Sequence, residues 1–358
     1  MAQIKVGVIG YGYWGPNLTR NFFGLPDSKL IAIADLKDEN LKRAQALYPQ
    51  AVLTKDYQRF FHLGLDAVVV ATPPITHFSI AKDCILHGLH VLVEKPMTAN
   101  SEQAEELVKL SGERGLTLMV GHTFEYNSAV IALKKYIDSG ELGQIYYVDI
   151  ARLNLGLFDH NSNVLWDLAP HDISILSFLL QENPISVSAQ GSQCAFKGIF
   201  DVAYLNLIFP KNIRAHIHVS WLDPCKVRRV TVVGSKKMIV YNDVDSEQMI
   251  KIYDKGVESP DYTDGFSEFE YNYRSGDILI PKIHFVEPLR QECQHFLDSI
   301  TNHTEPCSSG ADGLRVIKIL EAAQLSMSNG CTHEMINWQS PTMPELRSMD
   351  TSMRKFND

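Results

Sequence analysis

The 358-residue chain has no long apolar run, no closely paired cysteines and no excess of positive charge. Crossing a membrane takes about 18 consecutive apolar residues, whereas an uninterrupted run such as Ala67 to Ala71 is far shorter. The six cysteines are scattered without a Cys-x-x-Cys pair, which is typical of free thiols in a reducing compartment and argues against a disulfide framework. The net charge of −9 and the pI near 5.8 argue against a nucleic-acid-binding surface, which needs a basic face.

The length and the start of the chain indicate its broad class. A chain of 358 residues typically forms two domains. The predicted first strand begins at Ile4, which leaves no space for a secretory signal peptide, so we expect a cytoplasmic protein without a membrane partner. The sequence contains no internal repeat and no low-complexity segment.

The pattern of apolar residues changes about a third of the way along the chain. Residues 1–122 alternate strand-like runs with helical segments, which predicts an α/β domain with a doubly wound parallel sheet of the Rossmann type. Residues 123–338 contain strands joined by tight turns, which predicts an α+β domain with a mostly antiparallel open sheet and helices on one face. We interpret residues 254–282 as a long excursion, and we expect residues 339–358 to form a mobile tail.

A glycine-rich turn follows the first predicted strand. The strand Ile4 to Ile9 leads into Gly10, Gly12 and Gly15, and a second strand-like run ends on Asp35. In this arrangement the first glycine permits a tight turn, the second admits a pyrophosphate close to the backbone, and the third allows the helix to pack on the strand. The sequence therefore predicts a dinucleotide site with the pyrophosphate at a helix N-terminus.

The acid after the second strand favours NAD over NADP. The carboxylate of Asp35 can accept hydrogen bonds from a ribose 2′-hydroxyl and would repel a 2′-phosphate. Lys37 is close enough in sequence to weaken that preference.

A lysine follows another predicted strand, His90 to Val93. Glu94, Lys95 and Pro96 then fall at the carboxyl edge of the sheet, where ligands of open α/β sheets bind. Lys95 would lie beside the nicotinamide, and Pro96 would fix the backbone that aims it. The alternative is a solvated surface lysine.

An aspartate and a histidine are spaced for one helix face. Asp167 and His171 are four residues apart, so they share a face if a helix begins at Asp167. Pro170 would then fall in the first turn, where its missing N–H costs little. His171 is suited to accept a proton near neutral pH. The alternative is a helix-capping Asp167 with a core histidine.

These motifs together resemble the glucose–fructose oxidoreductase/inositol dehydrogenase family of NAD(P)-dependent sugar and polyol oxidoreductases. The resemblance extends over about residues 1–335 and depends on the glycine turn, the segment Ala71 to Pro74, the Glu94-Lys95-Pro96 motif and the Asp167/His171 pair. It is closer still to one subgroup, the UDP-N-acetylglucosamine(uronate) 3-dehydrogenases. The segments that carry this closer likeness are Tyr11 to Asn17, Gly121 to Phe124, Asn163 to Asp167 and His218 to Pro224.

The resemblance implies roles for individual residues. It implies that Lys95, Asp167 and His171 are catalytic. It places cofactor contacts at Gly10, Gly12, Tyr13, Trp14, Gly15, Asp35, Thr72, Pro73, His77, Glu94 and Lys95. Position 125 departs from the family pattern, because Glu125 stands where a hydrophobic or aromatic residue is usual. The resemblance further implies a homodimer or homotetramer built on the second sheet.

A sugar or nucleotide-sugar substrate would need polar and cationic partners. Besides Lys95 and His171, we expect Arg152 to bind a phosphate or carboxylate and Tyr126, Asn127 and Asn163 to bind sugar hydroxyls. Further cations that could meet the substrate, or form a solvated rim, are Arg214, Lys226, Arg228 and Arg229. We expect no metal site, because His216 and His218 lack further ligands at a useful spacing.

The motifs predict an NAD-dependent enzyme that oxidises a sugar ring hydroxyl, most specifically C3 of a UDP-N-acetylhexosamine or its uronic acid. In this reaction either His171 or Lys95 would take the hydroxyl proton. The alternatives are another sugar or polyol dehydrogenase, a ketoreductase acting on a deoxysugar nucleotide, and a sensor that binds without turnover.

Overall fold

The computed structural model describes residues 3–156, 162–258 and 272–338. Its first sheet is entirely parallel and has the strand order β3-β2-β1-β4-β5-β6. The order reverses between β1 and β4, which is where ligands bind in doubly wound sheets. The predicted Rossmann architecture is therefore confirmed. The strands are β1 (Ile4–Ile9), β2 (Ser28–Ala34), β3 (Val52–Thr54), β4 (Ala67–Val70), β5 (His90–Glu94) and β6 (Leu118–Gly121).

Helices connect these strands, and their ends follow local capping chemistry. The Asn100 side chain accepts a hydrogen bond from the Gln103 N–H, and Gly115 ends the same helix with a φ of 64°. Only glycine adopts that left-handed conformation at no steric cost. Asn100 therefore caps the helix, and the Gln103 side chain accepts from Ala99 N–H at 3.4 Å. The helices are α1 (Gly15–Gly24), α2 (Asp38–Leu47), α3 (His77–Leu86) and α4 (Ser101–Arg114).

The second sheet has nine strands in the order β14-β13-β12-β11-β7-β10-β9-β8-β15. Among the described strands, neighbours are antiparallel except β7 and β10, so the mostly antiparallel sheet is confirmed. The strands are β7 (Ile145–Leu155), β8 (Ser186–Ser192), β9 (Val202–Ile208), β10 (Arg214–Ser220), β11 (Leu222–Gly234), β12 (Met238–Asn242), β13 (Ile250–Glu258), β14 (Asn272–Leu279) and β15 (His333–Met335).

The excursion predicted for residues 254–282 is wrong where the structure describes it. Strands β13 and β14 pair from Ile252 with Leu279 to Glu258 with Asn272 and form one edge of the sheet. Their polar and aromatic composition suits an edge strand with a solvated face, which sequence patterning reads as a loop. Residues 259–271 and the predicted mobile tail, 339–358, lie outside the described residues.

Four helices complete the fold: α5 (Ser128–Asp138), α6 (Val164–Leu180), α7 (Pro288–Asn302) and α8 (Gly310–Ser328). Helix α7 returns to the first sheet, because Phe296 meets Phe22 of α1 edge-on at 6.3 Å between ring centroids. Within the described residues no helix combines the length and the apolarity needed to span a bilayer. All six cysteines are free thiols, as their spacing predicts.

Helix α6 begins earlier than the sequence predicts. Asn163 accepts hydrogen bonds from Leu165 N–H and Trp166 N–H, so the helix starts at Val164 and not at Asp167. Pro170 consequently lies inside the helix and not in its first turn. It removes the N–H that would have bonded to the Trp166 carbonyl. Asp167 and His171 are thus held on the first two turns of an N-terminally capped helix.

Candidate active site

A cavity of about 920 Å³ lies at the carboxyl ends of β1, β2, β4 and β5 and is closed by α6. Most of the residues predicted to bind the cofactor or to act in catalysis line it together. From the first sheet these are Gly10, Gly12, Tyr13, Trp14, Asp35, Thr72, Pro73, Glu94 and Lys95, and from α6 they are Asp167 and His171. Gly15 and His77 do not line it.

The three glycines of the turn have different steric requirements. Gly10 has a φ of +96°, and a Cβ there would lie 2.5 Å from the Ala71 carbonyl oxygen. A Cβ on Gly15 would lie 2.0 Å from the Gly10 carbonyl oxygen, whereas a Cβ on Gly12 would meet nothing within 4 Å. Gly10 and Gly15 are therefore required by the fold itself. Gly12 leaves an open space at the start of α1, where a pyrophosphate would accept hydrogen bonds from the unpaired N–H groups of the helix.

Alanine substitutions should separate these requirements. We expect Gly15→Ala to lower the free energy of unfolding by about 2–4 kcal/mol, because the turn and α1 must move apart. Gly12→Ala should change that free energy by less than about 1 kcal/mol and weaken NAD binding by about tenfold or more, because the added methyl occupies the pyrophosphate space. Urea unfolding and NAD titration measure the two effects. Equal losses of stability in both variants would contradict this division.

The Asp35 carboxylate is fixed at the far end of the cavity. Its Oδ2 accepts from Tyr11 N–H at 2.7 Å and its Oδ1 accepts from Lys37 N–H at 2.8 Å. Each oxygen retains a lone pair for a ribose hydroxyl. The site therefore presents a negative charge where a 2′-phosphate would lie, which suits NAD.

Lys95 and Asp167 meet across the cavity. Lys95 follows β5 with a cis peptide bond before Pro96. Its Nζ donates to the Asp167 carbonyl oxygen at 2.8 Å and lies 3.5 Å from Asp167 Oδ1. The other carboxylate oxygen, Oδ2, accepts from Trp221 Nε1 at 3.0 Å. Asp167 thus anchors Lys95 and is itself anchored by the second sheet.

His171 is neutral and is not oriented by Asp167. Its Nδ1 is buried, and no hydrogen-bond partner reaches it from the described residues. The ring instead packs edge-on against Phe124, with centroids 5.1 Å apart. Burial, and then the charges of Lys95 and Arg152, hold the pKa of His171 well below 6.5. Although Asp167 and His171 are four residues apart on α6, the Asp167 carboxylate contacts Lys95 and Trp221.

Glu94 adds a second perturbed group to the wall of the cavity. Burial raises its pKa from 4.5 to about 7, against the opposing charge of Lys95 and a hydrogen bond with Trp14. Glu292 of α7 is fully buried nearby, and burial, followed by the charge of Glu94, raises its pKa well above 4.5. Glu292 gave no signal in the sequence, since a single glutamate in an amphipathic helix ordinarily faces water.

Three residues expected to contact a ligand make hydrogen bonds that hold parts of the fold together. Buried His77 bridges two loops, with Nδ1 2.8 Å from the Pro96 carbonyl oxygen and Nε2 2.7 Å from that of Thr72. The Tyr126 hydroxyl is buried 3.1 Å from Ser308 Oγ. Asn163 caps α6, and its amide nitrogen donates to Gln324 at 3.0 Å.

A smaller cavity of about 400 Å³, the side arm, adjoins the large one through Trp14, Thr123 and His171. Two expected substrate residues line it. Arg152 is buried in an ion pair with Asp172, with 2.7 Å between Nη2 and Oδ1. Asn127 caps α5 and donates to Asp243 at 3.4 Å. The remaining wall includes Phe124, Leu153, Asn154, Leu168, Lys226, Arg228, Phe285 and Pro288.

The other basic and histidine candidates lie on the opposite face of the second sheet. Arg229 and His218 both pair with Ala151, which points away from the face of Arg152. His218 stacks on Tyr204 with centroids 4.3 Å apart. Across the described ranges, no group of three or more metal-ligating side chains is found.

Comparison with known proteins identifies the family. Residues 4–122 match the model of the oxidoreductase family with an NAD-binding Rossmann fold, and residues 130–240 match the GFO/IDH/MocA C-terminal domain. The chain is 26% identical to a UDP-N-acetylglucosamine 3-dehydrogenase of Acidithiobacillus ferrooxidans over 88% of this chain and 95% of the relative. It is 23% identical to an inositol 2-dehydrogenase of Rhizobium meliloti over 91% and 97%.

A solved structure agrees with the fold. An oxidoreductase from Agrobacterium radiobacter, crystallised with NAD+, L-tartaric acid and magnesium, superposes with a TM-score of 0.78 at 20% identity, covering 94% of this chain and 99% of the other. Its strand architecture is thus shared along nearly the whole length. The N-terminal domain is an NAD-binding Rossmann domain, and the chain is an oxidoreductase of the Gfo/Idh/MocA family.

Proposed function

We propose that this protein is an NAD-dependent dehydrogenase that oxidises a sugar ring hydroxyl, namely C3 of a UDP-N-acetylhexosamine or of its uronic acid. The observation that carries the proposal concerns a single cavity. Lys95, which follows β5, and His171, which lies on α6, both line it together with the glycine-rich turn. The relative named UDP-N-acetylglucosamine 3-dehydrogenase supports the choice of substrate. The relative named inositol 2-dehydrogenase makes a free polyol the second candidate.

The residues that line the cavity would have different roles in the oxidation of an alcohol. A nicotinamide held beside Lys95 would take up the hydride from the alcohol carbon. His171 is placed to accept the hydroxyl proton on its unprotonated ring nitrogen, because its depressed pKa keeps the imidazole in the neutral form with one nitrogen free as an acceptor. The Lys95 ammonium stabilises the negative charge that develops on the oxygen. Asp167 and Trp221 keep that ammonium in place.

The experiment is to follow the absorbance of reduced nicotinamide with NAD+ and a panel of substrates. The panel contains UDP-N-acetylglucosamine, its uronic acid, myo-inositol and a deoxysugar nucleotide. We expect turnover with a UDP-N-acetyl sugar. Turnover with myo-inositol alone would replace the proposed substrate, and NAD+ binding without turnover on an extended panel would favour a sensor.

The affinity for NAD+ should rise with pH. Glu94 has a pKa near 7, and only its ionised form attracts the positive charge of NAD+. If the ionised form alone binds well, the association constant increases about tenfold between pH 6 and 8. Isothermal titration calorimetry measures this dependence. Glu94→Gln should abolish it, while NADH, which lacks the ring charge, should show little dependence in the wild type. Equal pH profiles for NAD+ and NADH would contradict the assignment.

We also propose that the open face of the second sheet pairs two subunits in a cytoplasmic homodimer or tetramer. Tyr147 and Tyr204 on this face are 46% and 37% exposed, and exposed aromatic side chains on a sheet favour an interface. Light scattering after size-exclusion chromatography measures the assembly, and a monomer at micromolar concentration would contradict it.

A further inference from the structure

The side arm extends the reaction cavity past His171. Trp14, Thr123 and His171 line both spaces, so a group attached to the reacting sugar can enter the arm while the sugar faces Lys95. Phe124 forms the floor, and two arginine side chains lie over its ring, Arg152 at 4.3 Å and Arg228 at 5.7 Å from the ring centroid. The arm is thus a cationic extension of the catalytic space.

The cations of the arm differ in how far they are neutralised. Arg152 is buried, and both its Nε and its Nη2 contact the Asp172 carboxylate at 2.7–3.0 Å. That guanidinium is occupied by a fixed partner, and the pair contributes no net charge. The sequence alone favours Arg152 as the anion-binding residue, because it does not show that Asp172 of α6 contacts Arg152 of β7.

Arg228 and Lys226 retain binding capacity. Arg228 uses one nitrogen, Nη1, on Asp243 at 3.1 Å, and its side chain is 35% exposed. Asp243 also accepts from the Tyr241 hydroxyl at 2.8 Å, so its charge is shared. Lys226 is exposed, and within the described residues its ammonium has neither a hydrogen bond nor an ion pair. Two residues apart on β11, both side chains line the arm.

A second opening, which shares Pro73, Lys95 and Asp167 with the cavity, lacks this cationic character. It lies beside Lys95 and Asp167 and is otherwise lined by residues such as Ser162, Asn163 and Trp166. Among its described lining residues Lys95 is the sole cation, and Asp167 faces it. An anionic substituent on the sugar is therefore favoured in the side arm and disfavoured at the other opening.

We propose that Lys226 and Arg228 bind an anionic group of the substrate, a carboxylate or a phosphate, and so select acidic or phosphorylated sugars over neutral polyols. This inference rests on the proposed dehydrogenase function and narrows its substrate class. Arg228 presents a planar fork already oriented by Asp243 and Phe124, which suits a two-oxygen anion. Lys226 adds a point charge that is not paired with any group within the described residues.

Binding of UDP and of D-glucuronate tests the proposal, since the first probe carries phosphate and the second carboxylate. Calorimetry is done in the presence of saturating NAD+ on the wild type, Lys226→Gln, Arg228→Gln and Arg229→Gln. The last is a matched control, because Arg229 neighbours Arg228 on the same strand and faces the other side of the sheet. We expect each of the first two substitutions to weaken at least one probe by about tenfold or more, with NAD+ affinity unchanged. Arg229→Gln should leave binding unchanged.

Each outcome has a defined meaning. Loss of UDP binding identifies a phosphate as the partner, and loss of glucuronate binding identifies a carboxylate. Unchanged affinity for both probes in Lys226→Gln, whose side chain is exposed and has no partner among the residues that the structure describes, overturns the proposal. If the double variant Lys226→Gln/Arg228→Gln still oxidises a neutral polyol as the wild type does, and no anionic substrate is preferred, the dehydrogenase function stands and this inference fails. If the probes bind through Lys226 and Arg228 and no sugar is oxidised, this inference stands and the proposed dehydrogenase function fails.

Discussion

Replacing Lys95 by methionine should lower kcat for NAD+ reduction by about 10³-fold or more while leaving NAD+ binding within a few-fold of the wild type. Methionine fills nearly the same volume but removes the ammonium that would stabilise the developing alkoxide in a partly buried site. The side chain is only 19% exposed, so water cannot fully replace the lost charge. Stopped-flow absorbance gives kcat, and quenching of tryptophan fluorescence gives NAD+ affinity, because Trp14 lines the cavity.

A matched control is available for this substitution. Lys109→Met removes an equally charged group from the exposed face of α4, 63% exposed, and should leave both measurements unchanged. If Lys95→Met retained more than about a tenth of the wild-type kcat, Lys95 would not be the group that stabilises the developing charge. If it lost NAD+ binding together with kcat, its role would be in holding the cofactor and not in stabilising charge.

The second large effect concerns stability. Asp172→Leu should lower the free energy of unfolding by about 3–5 kcal/mol, because it leaves the guanidinium of Arg152 buried without its carboxylate. Both side chains are nearly inaccessible, at 7% and 1% exposure. Burial raises the pKa of Asp172 even against the attraction of Arg152, which indicates how costly the isolated charges are here. Urea unfolding monitored by circular dichroism measures the change.

The double variant Arg152→Met/Asp172→Leu separates the pair from its individual charges. Removing both charges replaces the ion pair by apolar packing, which is often nearly neutral for stability. We expect the double variant to recover most of the stability lost in Asp172→Leu. A double variant as unstable as the single one would show that hydrophobic packing around this site, and not the uncompensated charge, accounts for the loss.

Much of the fold follows from local patterns in the sequence. Short apolar runs separated by helical segments are sufficient for the first sheet, since buried parallel strands have few alternatives. The long strand Ile145–Leu155 also follows from a local pattern, because alternation of apolar and polar residues indicates both its length and its buried face. Strand β13 and the edge strand β14 are missed because they are stabilised by pairing, β14 with β13 and β13 also with β12, which no local pattern records.

The site is less accessible to sequence reasoning, because its details depend on contacts between distant residues. Either Asn163 or Asp167 could cap the start of α6, because both residue types are good helix caps. The backbone geometry of the folded chain shows that Asn163 is the cap. The partners of Asp167 and Arg152 are more distant in the sequence. Asp167 accepts a hydrogen bond from Trp221, which lies between β10 and β11, and Arg152 of β7 pairs with Asp172 of α6. These contacts decide which charges remain free for a substrate, and they require the tertiary structure.

A crystal structure of the protein with bound NAD+ tests the central claim most directly, namely that Lys95 and His171 act on the same nicotinamide. The account predicts the pyrophosphate at the start of α1, Asp35 on the adenosine ribose, and both Lys95 Nζ and a His171 ring nitrogen facing one space above the nicotinamide, about 3–4 Å from where a substrate oxygen would lie. A nicotinamide ring outside this space, or one that Lys95 and His171 approach from unconnected cavities, would contradict it.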